Sequence, residues 1–567
     1  MDLKYEISQL LKVAIPELTP EEIMDILEVP AKVEMGDYAF PCFRLAKIYR
    51  KAPPLIAQEL VGKIPASSLL REITAVGGYI NFFMNPVPFV THVLSSVLRE
   101  KGQYGSSTLG EGKNIVIDYS APNIAKPFHI GHLRSTVIGN SLYQIHQFLG
   151  YHCVGINHLG DWGTQFGKLI VAYKKWGTKE EVESKGIKEL IRIYVKFHEE
   201  AEKNPDLDEE AREWFTKMEQ GNEEALALWD WFKVISLKEF DRVYDLLDLS
   251  FDSYAGESFY NDKMDPIIEE LREKGLLERS EGAEIIDLSE ENMPPCLITK
   301  KDGSTLYATR DITAAIYRKN TYNFNKCIYV TALEQNLHFA QWFAVIKKMG
   351  YEWYNELIHI PFGMVSMETG KLSTRKGNVV LLEEILNEAI EKTMEIIEDK
   401  NPNLENKEQV AKEVGIGAVI FNDLYNNRIK DVIFSWDKVL NFDGETGPYI
   451  QYTHARACSV LKRADVEIKD SQDLSFDLLV DEASIQVCKL LEKFPVVIQE
   501  AAEKLEPSLI SRHIMDIAQA FNKFYHDCPI LTSEEKTKEV RLALVYAVQT
   551  VLSTGLHLLG IKAPTQM

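Results

Sequence analysis

Two histidines in the segment Phe128-His129-Ile130-Gly131-His132 have the residue types and spacing that suit nucleotide chemistry. They follow the apolar run Ile115-Val116-Ile117, which predicts a strand, a loop and then a helix. Side chains three apart share a helical face, and the free N–H groups and positive dipole of a helix start attract phosphate. Gly131 lacks a Cβ, which predicts that an adenine ring lies against its backbone. Two close histidines also occur by chance, so other segments must distinguish the two interpretations.

Two further clusters could face the same ligand. The glycine-rich segment His158–Gln165 follows a predicted strand through Val154 and Ile156, and it suits either a ligand crevice or a tight turn that needs glycines for geometry alone. The basic segment Lys371–Gly377 follows a strand that ends near Ser366. Its cations suit a polyphosphate, although such a run is usually a solvated surface turn.

The elements that must position these segments alternate between strand and helix from Asn114 to about Val380. This alternation predicts a doubly wound parallel sheet, whose ligands bind beyond the carboxyl ends of the strands. A charged, mostly helical insertion interrupts it at about 174–295, and the chain is predicted to be helical after Val380. We therefore expect three domains, at 1–105, 106–380 and 381–567.

Composition limits the classes of partner and compartment. The 567 residues include 63 Lys plus Arg and 85 Asp plus Glu, a net charge of −22, so a nucleic acid must bind local basic patches. The seven cysteines contain no CxxC pair, which favours a reducing cytosol over disulfides or a zinc site. The first residues lack the apolar core of a signal peptide. The uncharged stretch 542–561 carries a polar stripe, so we expect a buried bundle helix and a cytoplasmic protein without a membrane partner.

Together, H-I-G-H after the first strand and K-L-S-T-R after the last are similar to the paired signatures of class I aminoacyl-tRNA synthetases. The strings SAPNIAKPFHIGHLRST, GDWGTQFG, LYATRD and GPYIQYTHAR resemble the arginyl-tRNA synthetase family essentially from end to end. The resemblance implies a Rossmann-like parallel-sheet catalytic domain with a helical insertion, a small α+β N-terminal domain and an all-α C-terminal anticodon-binding domain.

The resemblance also implies a two-step reaction: the arginine carboxylate attacks the α-phosphorus of ATP, and the arginyl group then moves to the 3′ end of tRNA(Arg). The substrates would be arginine, tRNA(Arg) and ATP with its Mg²⁺, and the expected protein is a monomer without a structural metal. Such chemistry depends mostly on positioning the reactants and stabilising the negative charge of the phosphates. The residues implied at ATP are His129, Gly131, His132, Gly160, Asp161, Lys371 and Ser373.

One departure from the general class I loop, K-M-S-K-S, is Thr374 at the position of the second lysine. A cation expected at the transition state is therefore missing. Lys126, three residues before His129, is the substitute that the family implies. Arg375 and Lys376 remain alternatives that sequence does not rank.

Arginine recognition calls for carboxylates that hold a planar guanidinium, with an aromatic wall. Tyr307 and Asp311 are spaced i, i+4 at a predicted helix start, so both can face one pocket. The resemblance places Asp311 on the guanidinium with Tyr307 beside it, and Glu257 is a further family-implied ligand. The alternative for Asp311 is a helix N-cap. The positions implied at the amino-acid backbone of the substrate are Asp118, Asn123 and Gln335.

The tRNA contacts that the resemblance implies are aromatic or terminal: Tyr449, Tyr452, Tyr525 and Met567 in the C-terminal domain, and Tyr79 with Asn81 in the N-terminal domain. Bases of single-stranded RNA loops stack on aromatic side chains. Buried packing is the alternative for the tyrosines, and a Tyr-Ile-Asn strand needs no RNA to explain it. Two other functions remain open at this point, a class I synthetase for another amino acid and a catalytically silent tRNA-binding relative.

Overall fold

The computed structural model describes residues 3–30, 32–300, 307–367 and 381–567. Its residues cluster into two units. One unit contains Met1–Tyr104, Ala457–Lys493 and Gln519–Val551, and the other contains Gly105–Arg456, Phe494–Ala518 and Leu552–Met567. The second unit carries the predicted chemistry.

The described helices are α1 (Leu3–Ala14), α2 (Pro20–Ile26), α3 (Leu45–Tyr49), α4 (Pro53–Val61), α5 (Pro86–Glu100), α6 (Gly131–Phe148), α7 (Thr164–Trp176), α8 (Lys179–Lys185), α9 (Ile187–Ala201), α10 (Asp206–Glu219), α11 (Glu223–Leu247), α12 (Met264–Glu273), α13 (Tyr307–Tyr322), α14 (Asn336–Lys348), α15 (Leu382–Lys400), α16 (Lys407–Leu424), α17 (Trp436–Val439), α18 (Gly447–Ala464), α19 (Glu482–Lys504), α20 (Ser508–Asp527) and α21 (Glu535–Leu558). The described strands are β1 (Tyr38–Pro41), β2 (Leu70–Val76), β3 (Tyr79–Met84), β4 (Asn114–Asp118), β5 (His152–Ile156), β6 (Glu278–Ser280), β7 (Ala283–Ile286), β8 (Cys296–Thr299), β9 (Lys326–Ala332), β10 (Leu357–Phe362), β11 (Val365–Met367) and β12 (Val432–Phe434).

A parallel sheet in the order β10-β9-β4-β5 forms the centre of the second unit. Ile115 of β4 pairs with Cys153 of β5 on one side and with Lys326 of β9 on the other. The chain thus leaves β4 in one direction and later returns to its other side, so β4 and β9 flank the switch point where such sheets bind ligands. The predicted doubly wound sheet is confirmed.

Helices cover this sheet through an apolar core. Val116, Val154 and Trp342 belong to one buried cluster that also includes residues of α12 and α13. The packing of α6 requires a glycine at position 139, since a Cβ there would lie 2.2 Å from the Tyr119 side chain. The middle of helix α6 therefore packs closely against Tyr119, the residue after β4.

Two short sheets depart from the expected pattern. The insertion is mostly helical, as predicted, but it ends in the antiparallel sheet β6-β7-β8, whose first turn has positive φ at Glu281 (50°) and Gly282 (90°). Charged, exposed strand residues conceal this hairpin from an apolar-run analysis. The region after Val380 is also not wholly helical, because β12 pairs in parallel with β11.

The first unit contains the antiparallel sheet β1-β3-β2. One face is buried against α1, α2 and α4 through residues such as Ile7, Ile23 and Phe82. The predicted strand at Gly78–Phe83 is present as β3, with Tyr79 at its first position. Among the described helices, none has the length and apolar character needed to cross a bilayer.

Candidate active site

A cleft of about 600 Å³ lies at the carboxyl ends of β4 and β9. It collects residues that are far apart in sequence, from the β4–α6 loop, the insertion, α13 and the start of α14. The predicted site residues that line it are Asp118, Asn123, His129, Gly131, His132, Gly160, Glu257, Tyr307, Asp311 and Gln335. The folded chain therefore brings most of the predicted nucleotide-binding residues and all of the predicted arginine-binding residues to one site.

The loop that leaves β4 has a strained, fixed conformation. Ser120 and Ala121 have φ values of 71° and 46°, a region that non-glycine residues occupy at a cost of about 1–2 kcal/mol each. Ser120 N–H donates to Ser135 Oγ (2.9 Å), and the Ser135 hydroxyl donates to the Val330 carbonyl of β9 (2.7 Å). These contacts fix the loop between α6 and β9, at the floor of the cleft.

The two signature histidines form a close, tilted pair, with ring centroids 4.1 Å apart and ring planes 34° apart. Helix α6 begins at Gly131, so His129 lies before the helix and not on its face, which corrects the prediction. The Gly131 N–H donates to His129 Nδ1 (3.0 Å) and the His129 N–H donates to His132 Nδ1 (3.2 Å). Since each Nδ1 accepts a hydrogen bond, each neutral ring carries its proton on Nε2.

Gly131 has a structural role in addition to the predicted contact with adenine. A Cβ at this position would lie 2.7 Å from His129 Cε1, so the missing side chain makes room for an imidazole ring. The Gly131 N–H is also already used by that ring. The donors that the helix start offers are therefore mainly the Nε2–H groups of the histidine pair.

Burial holds the histidine pair neutral. Desolvation and the nearby positive charge of Lys126 lower the pKa of His129. For His132, burial, His129 and Lys126 together lower the pKa to about 3. Both rings can thus donate hydrogen bonds to phosphate oxygens at neutral pH without bearing a charge, whereas Lys126 places a cation close to both.

Asp311 and His338 face each other across the other part of the cleft. Asp311 lies in the second turn of α13 and is therefore not the helix N-cap, so the capping alternative is wrong. Its Oδ2 lies 2.5 Å from His338 Nε2. Tyr307, one turn earlier, is 62% exposed, as a wall open to a ligand should be.

Glu257 brings a second carboxylate into the cleft. Its Oε2 is buried and lies 3.8 Å from Arg310 Nη1, and it accepts no hydrogen bond from the described residues. Burial raises the pKa of Glu257 to about 7; Arg310 opposes this effect, and the charge of Asp311 adds to it. We call Glu257 and Asp311 the carboxylate pair.

Neighbouring side chains bind the carboxylates of two predicted site residues, Asp118 and Asp161. Asp118 lines the cleft but forms a buried ion pair with Arg318 at 2.7 Å. Asp161 is fully buried, and it accepts hydrogen bonds from Lys233 Nζ (2.6 Å) and from the Ser258 N–H (2.8 Å). Asp161 therefore does not line the cleft, unlike Gly160 before it, and it anchors the segment that carries Glu257.

The stretch 368–380 lies outside the described residues, but described residues on either side of it contact the start of α6 and the loop before it. Arg134 donates to the carbonyl oxygens of Gly363 (2.9 Å) and Lys430 (2.7 Å) and pairs with the buried Asp423 (2.9 Å). At the far end, the Leu382 N–H donates to the Phe128 carbonyl (2.8 Å). The predicted residues Lys371, Ser373, Thr374, Arg375 and Lys376 belong to this stretch and are outside the described part of the chain.

Sequence reasoning missed three residues of this site. His338 lines the cleft and contacts Asp311, His158 lines it and lies 3.1 Å from the Ala255 carbonyl through Nδ1, and Arg134 holds the strand end at Gly363. Arg134 stands inside the quoted string SAPNIAKPFHIGHLRST, and His158 opens the glycine-rich segment His158–Gln165; these were the available signals. For His338, the only signal in the sequence was its position three residues after Gln335.

The predicted RNA-contact tyrosines of the C-terminal region are accessible. Tyr452 is 43% exposed with Arg456 stacked 4.8 Å from its ring centroid, and Tyr525 is 39% exposed. Buried packing is therefore wrong for Tyr525, while Tyr449 is half-buried. Met567 packs against an apolar cluster around Ile397.

The predicted N-terminal contacts differ in exposure. Tyr79 is half-buried and packs edge-on against Phe43, with centroids 5.3 Å apart. Asn81 is almost fully buried, and within the described residues neither its Oδ1 nor its Nδ2 has a hydrogen-bond partner.

Comparison with known proteins agrees with this architecture. Residues 93–436 match the family model "tRNA synthetases class I (R), catalytic domain", residues 2–84 match the arginyl-tRNA synthetase N-terminal domain, and residues 450–567 match the DALR anticodon-binding domain. The sheet, its cleft and the catalytic-domain match define a class I aminoacyl-tRNA synthetase.

Comparison with full-length relatives identifies the family within this class. The chain is 62% identical to the arginine–tRNA ligase of Alkaliphilus metalliredigens and 57% identical to that of Clostridioides difficile, each over 100% of both chains. The Thermus thermophilus arginyl-tRNA synthetase structure superposes with a TM-score of 0.81 at 24% identity, over 100% of both chains. The chain belongs to the arginyl-tRNA synthetase family.

Proposed function

We propose that this protein activates L-arginine with ATP to form arginyl-adenylate and transfers the arginyl group to the 3′ end of tRNA(Arg). In the first step, the arginine carboxylate oxygen bonds to the α-phosphorus and pyrophosphate leaves. In the second, a 3′-terminal ribose hydroxyl attacks the arginyl carbonyl carbon and AMP leaves. The observation that carries the proposal is that the neutral histidine pair and the carboxylate pair line the same cleft.

Arginine would bind at the carboxylate pair. A guanidinium presents its N–H donors in a fixed fork, and Asp311 and Glu257 offer acceptors from two different segments. Tyr307 supplies the exposed aromatic wall. The amino and carboxylate groups of the substrate would lie near Asn123, Asp118 and Gln335, which line the cleft beside the β4 strand end and the start of α14.

ATP would bind with its phosphates toward the Nε2–H donors of His129 and His132. The nucleophile belongs to the substrate, so the protein has only to align the reactants and compensate negative charge. Lys126 is close enough to lower the pKa of both histidines, which supports its role as the cation that replaces the lysine missing at Thr374. Mg²⁺ would enter with ATP as part of the substrate, and in the described residues no cluster of acidic, His or Cys side chains is suited to hold a metal.

The stretch with Lys371 and Ser373 would act on the same phosphates. Its two flanks are attached to α6 through Arg134 and to Phe128 through Leu382. These contacts of the described flanking residues lie at the start of α6, next to the histidine pair, which supports a role of Lys371 and Ser373 at the phosphates.

tRNA would be contacted by an N-terminal domain at 1–105 and by a helical domain at 381–567, on either side of the catalytic domain at 106–380 in the sequence. The exposed rings of Tyr452 and Tyr525 support base stacking, and we assign Tyr449, Met567, Tyr79 and Asn81 to tRNA contact, as the family resemblance implies. The protein would act as a cytoplasmic monomer that does not engage a membrane.

Exchange of labelled pyrophosphate into ATP tests the activity directly. With cognate tRNA present, arginine should support exchange and the other amino acids should not. Exchange with another amino acid would contradict the assignment of the pocket, and no exchange with any amino acid would indicate a tRNA-binding protein without catalysis.

A further inference from the structure

His338 lines the cleft and makes a short polar contact with Asp311, the residue that we propose binds the guanidinium of arginine. It lies in the first turn of α14, and its Nε2 is 2.5 Å from Asp311 Oδ2. Both side chains line the cleft and are about a quarter to a third exposed. We infer that His338 is a positioning residue for arginine specificity, which fixes the Asp311 carboxylate in the orientation that accepts the guanidinium; this inference rests on the proposed function.

The direction of the hydrogen bond follows from the chemistry of the partners. An ionised carboxylate only accepts, so Nε2 must donate. In the neutral ring, this bond fixes the rotation of the carboxylate and leaves its negative charge intact. A lysine or arginine at position 338 would instead neutralise Asp311 and compete with the substrate for it. A histidine therefore supplies orientation without occupying the charge that selects arginine.

The cation of the chain nearest in sequence to Asp311 is directed elsewhere. Arg310 Nη1 lies 3.8 Å from Glu257 Oε2, and its Nη2 is 3.5 Å from Asn261 Oδ1. Asp311 influences Glu257 as a like charge, since it raises the pKa of that carboxyl group. His338 thus holds Oδ2 of Asp311, and among the described residues no other side chain donates a hydrogen bond to this carboxylate, which leaves Oδ1 for a substrate cation.

The backbone that presents His338 is rigid. Phe339, the next residue, is buried and stacks flat on His359 at 4.3 Å, and His359 Nε2 lies 2.8 Å from Thr331 Oγ1. This aromatic layer connects the first turn of α14 to β9 and β10. A positioning hydrogen bond needs such support, because a mobile donor would not hold the carboxylate in one rotamer.

A matched pair of substitutions separates the hydrogen bond from side-chain volume. His338→Gln keeps an N–H donor near the position of Nε2, and His338→Met has similar length without a donor. Steady-state aminoacylation of tRNA(Arg) by the full chain gives KM for arginine, KM for ATP and kcat. For His338→Met we expect KM for arginine to rise about 10- to 100-fold, with KM for ATP unchanged and recovery of most of the loss in His338→Gln.

His146→Gln is the matched control, because it makes the same substitution at a buried histidine of α6 whose partner is the Leu142 carbonyl and which lies outside the cleft. It should lower the melting temperature and leave KM for arginine unchanged. If His338→Met does not fold, His338→Ala serves in the same comparison with His338→Gln.

Three results would overturn the inference. A lower KM for arginine in His338→Met would mean that His338 competes with the substrate. Equal changes in both KM values with a lower melting temperature would indicate a structural role, and equal behaviour of the Gln and Met variants would exclude the hydrogen bond. The failure of the wild-type chain to charge tRNA with arginine would instead contradict the proposed function itself.

Discussion

The histidine pair and the carboxylate pair prepare the same cleft in different ways. The histidine pair is complete before any substrate arrives: both Nδ1 atoms accept hydrogen bonds from backbone N–H groups, the two rings lie in close contact, and burial keeps them uncharged. The carboxylate pair is incomplete, because Glu257 Oε2 is buried without a hydrogen-bond partner among the described residues and both acidic groups face the same space.

The difference follows from what each pair would bind. Phosphate is already solvated and highly charged, so it gains most from fixed donors that need no reorganisation. A guanidinium can repay the cost of a buried, unsatisfied carboxylate, about 1–3 kcal/mol or more. A ligand without a cationic group cannot compensate this free-energy cost. On the proposed function, the unsatisfied oxygen of the carboxylate pair would therefore favour arginine, and the fixed donors of the histidine pair would increase the reaction rate.

The largest expected effect comes from removing the charge of Asp311. Asp311→Asn keeps the size of the side chain and an oxygen that can accept from His338, but it leaves the guanidinium without its anionic partner. We expect kcat/KM for arginine to fall about 10³-fold, the range for breaking a buried charge pair, with ATP binding and the melting temperature nearly unchanged. A loss of stability with arginine affinity preserved would contradict the role of Asp311.

The histidine pair should affect rate more than binding. His132→Ala deletes one Nε2–H donor, and we expect pyrophosphate exchange to slow about 10²-fold, as for other lost transition-state donors. His146→Ala is a suitable control, because His146 is buried on the same helix and bonded to the Leu142 carbonyl. It should reduce stability and leave the exchange rate of the folded enzyme unchanged. Near-normal exchange by His132→Ala would remove the proposed role.

Lys126 should act mainly in the transition state. Lys126→Met is expected to slow adenylate formation about 10- to 100-fold, more than it weakens ATP binding. Rapid-quench measurement of adenylate formation checks the first quantity and equilibrium ATP binding the second. Thr374→Lys in the same chain should recover part of the loss. A silent Lys126→Met together with a severe effect of Arg375→Met or Lys376→Met would place the compensating cation in the 368–380 stretch.

The two pairs should also differ in pH dependence. The pKa of Glu257 is raised to about 7, so its carboxylate is mostly protonated below pH 7 and ionised above it. KM for arginine should therefore fall about 3- to 10-fold between pH 6 and pH 8, and Glu257→Gln should flatten this change. His132, with a pKa of about 3, stays neutral over this range. The same pH dependence in wild type and Glu257→Gln would contradict the assignment.

Much of the fold and most of the cleft were predictable because they depend on local sequence. Apolar runs mark β4, β5, β9 and β10, and ligands collect at their carboxyl ends in any such sheet. Strand β12 was missed because Val432–Phe434 is too short to stand out and gains its partner only through β11. The hydrophobic pattern of one short segment does not show that β12 pairs with β11.

The missed contact of His338 and the burial of Asp161 have the same physical origin. His338 and Asp311 are 27 residues apart, so their contact exists only after α13 and α14 pack. Asp161 stands in a glycine-rich segment that does border the cleft at Gly160, but Lys233 and Ser258 draw its carboxylate inward. Motifs predicted which segments meet; tertiary neighbours decide which side chains remain available to a ligand.

The most direct test of the account is a crystal structure of the protein with arginine and a non-hydrolysable ATP analogue. The account predicts the guanidinium within hydrogen-bond distance of Asp311 and Glu257, and phosphate oxygens within hydrogen-bond distance of Nε2 of His129 and His132. An arginine bound away from the carboxylate pair, or phosphates that do not contact either imidazole, would contradict it.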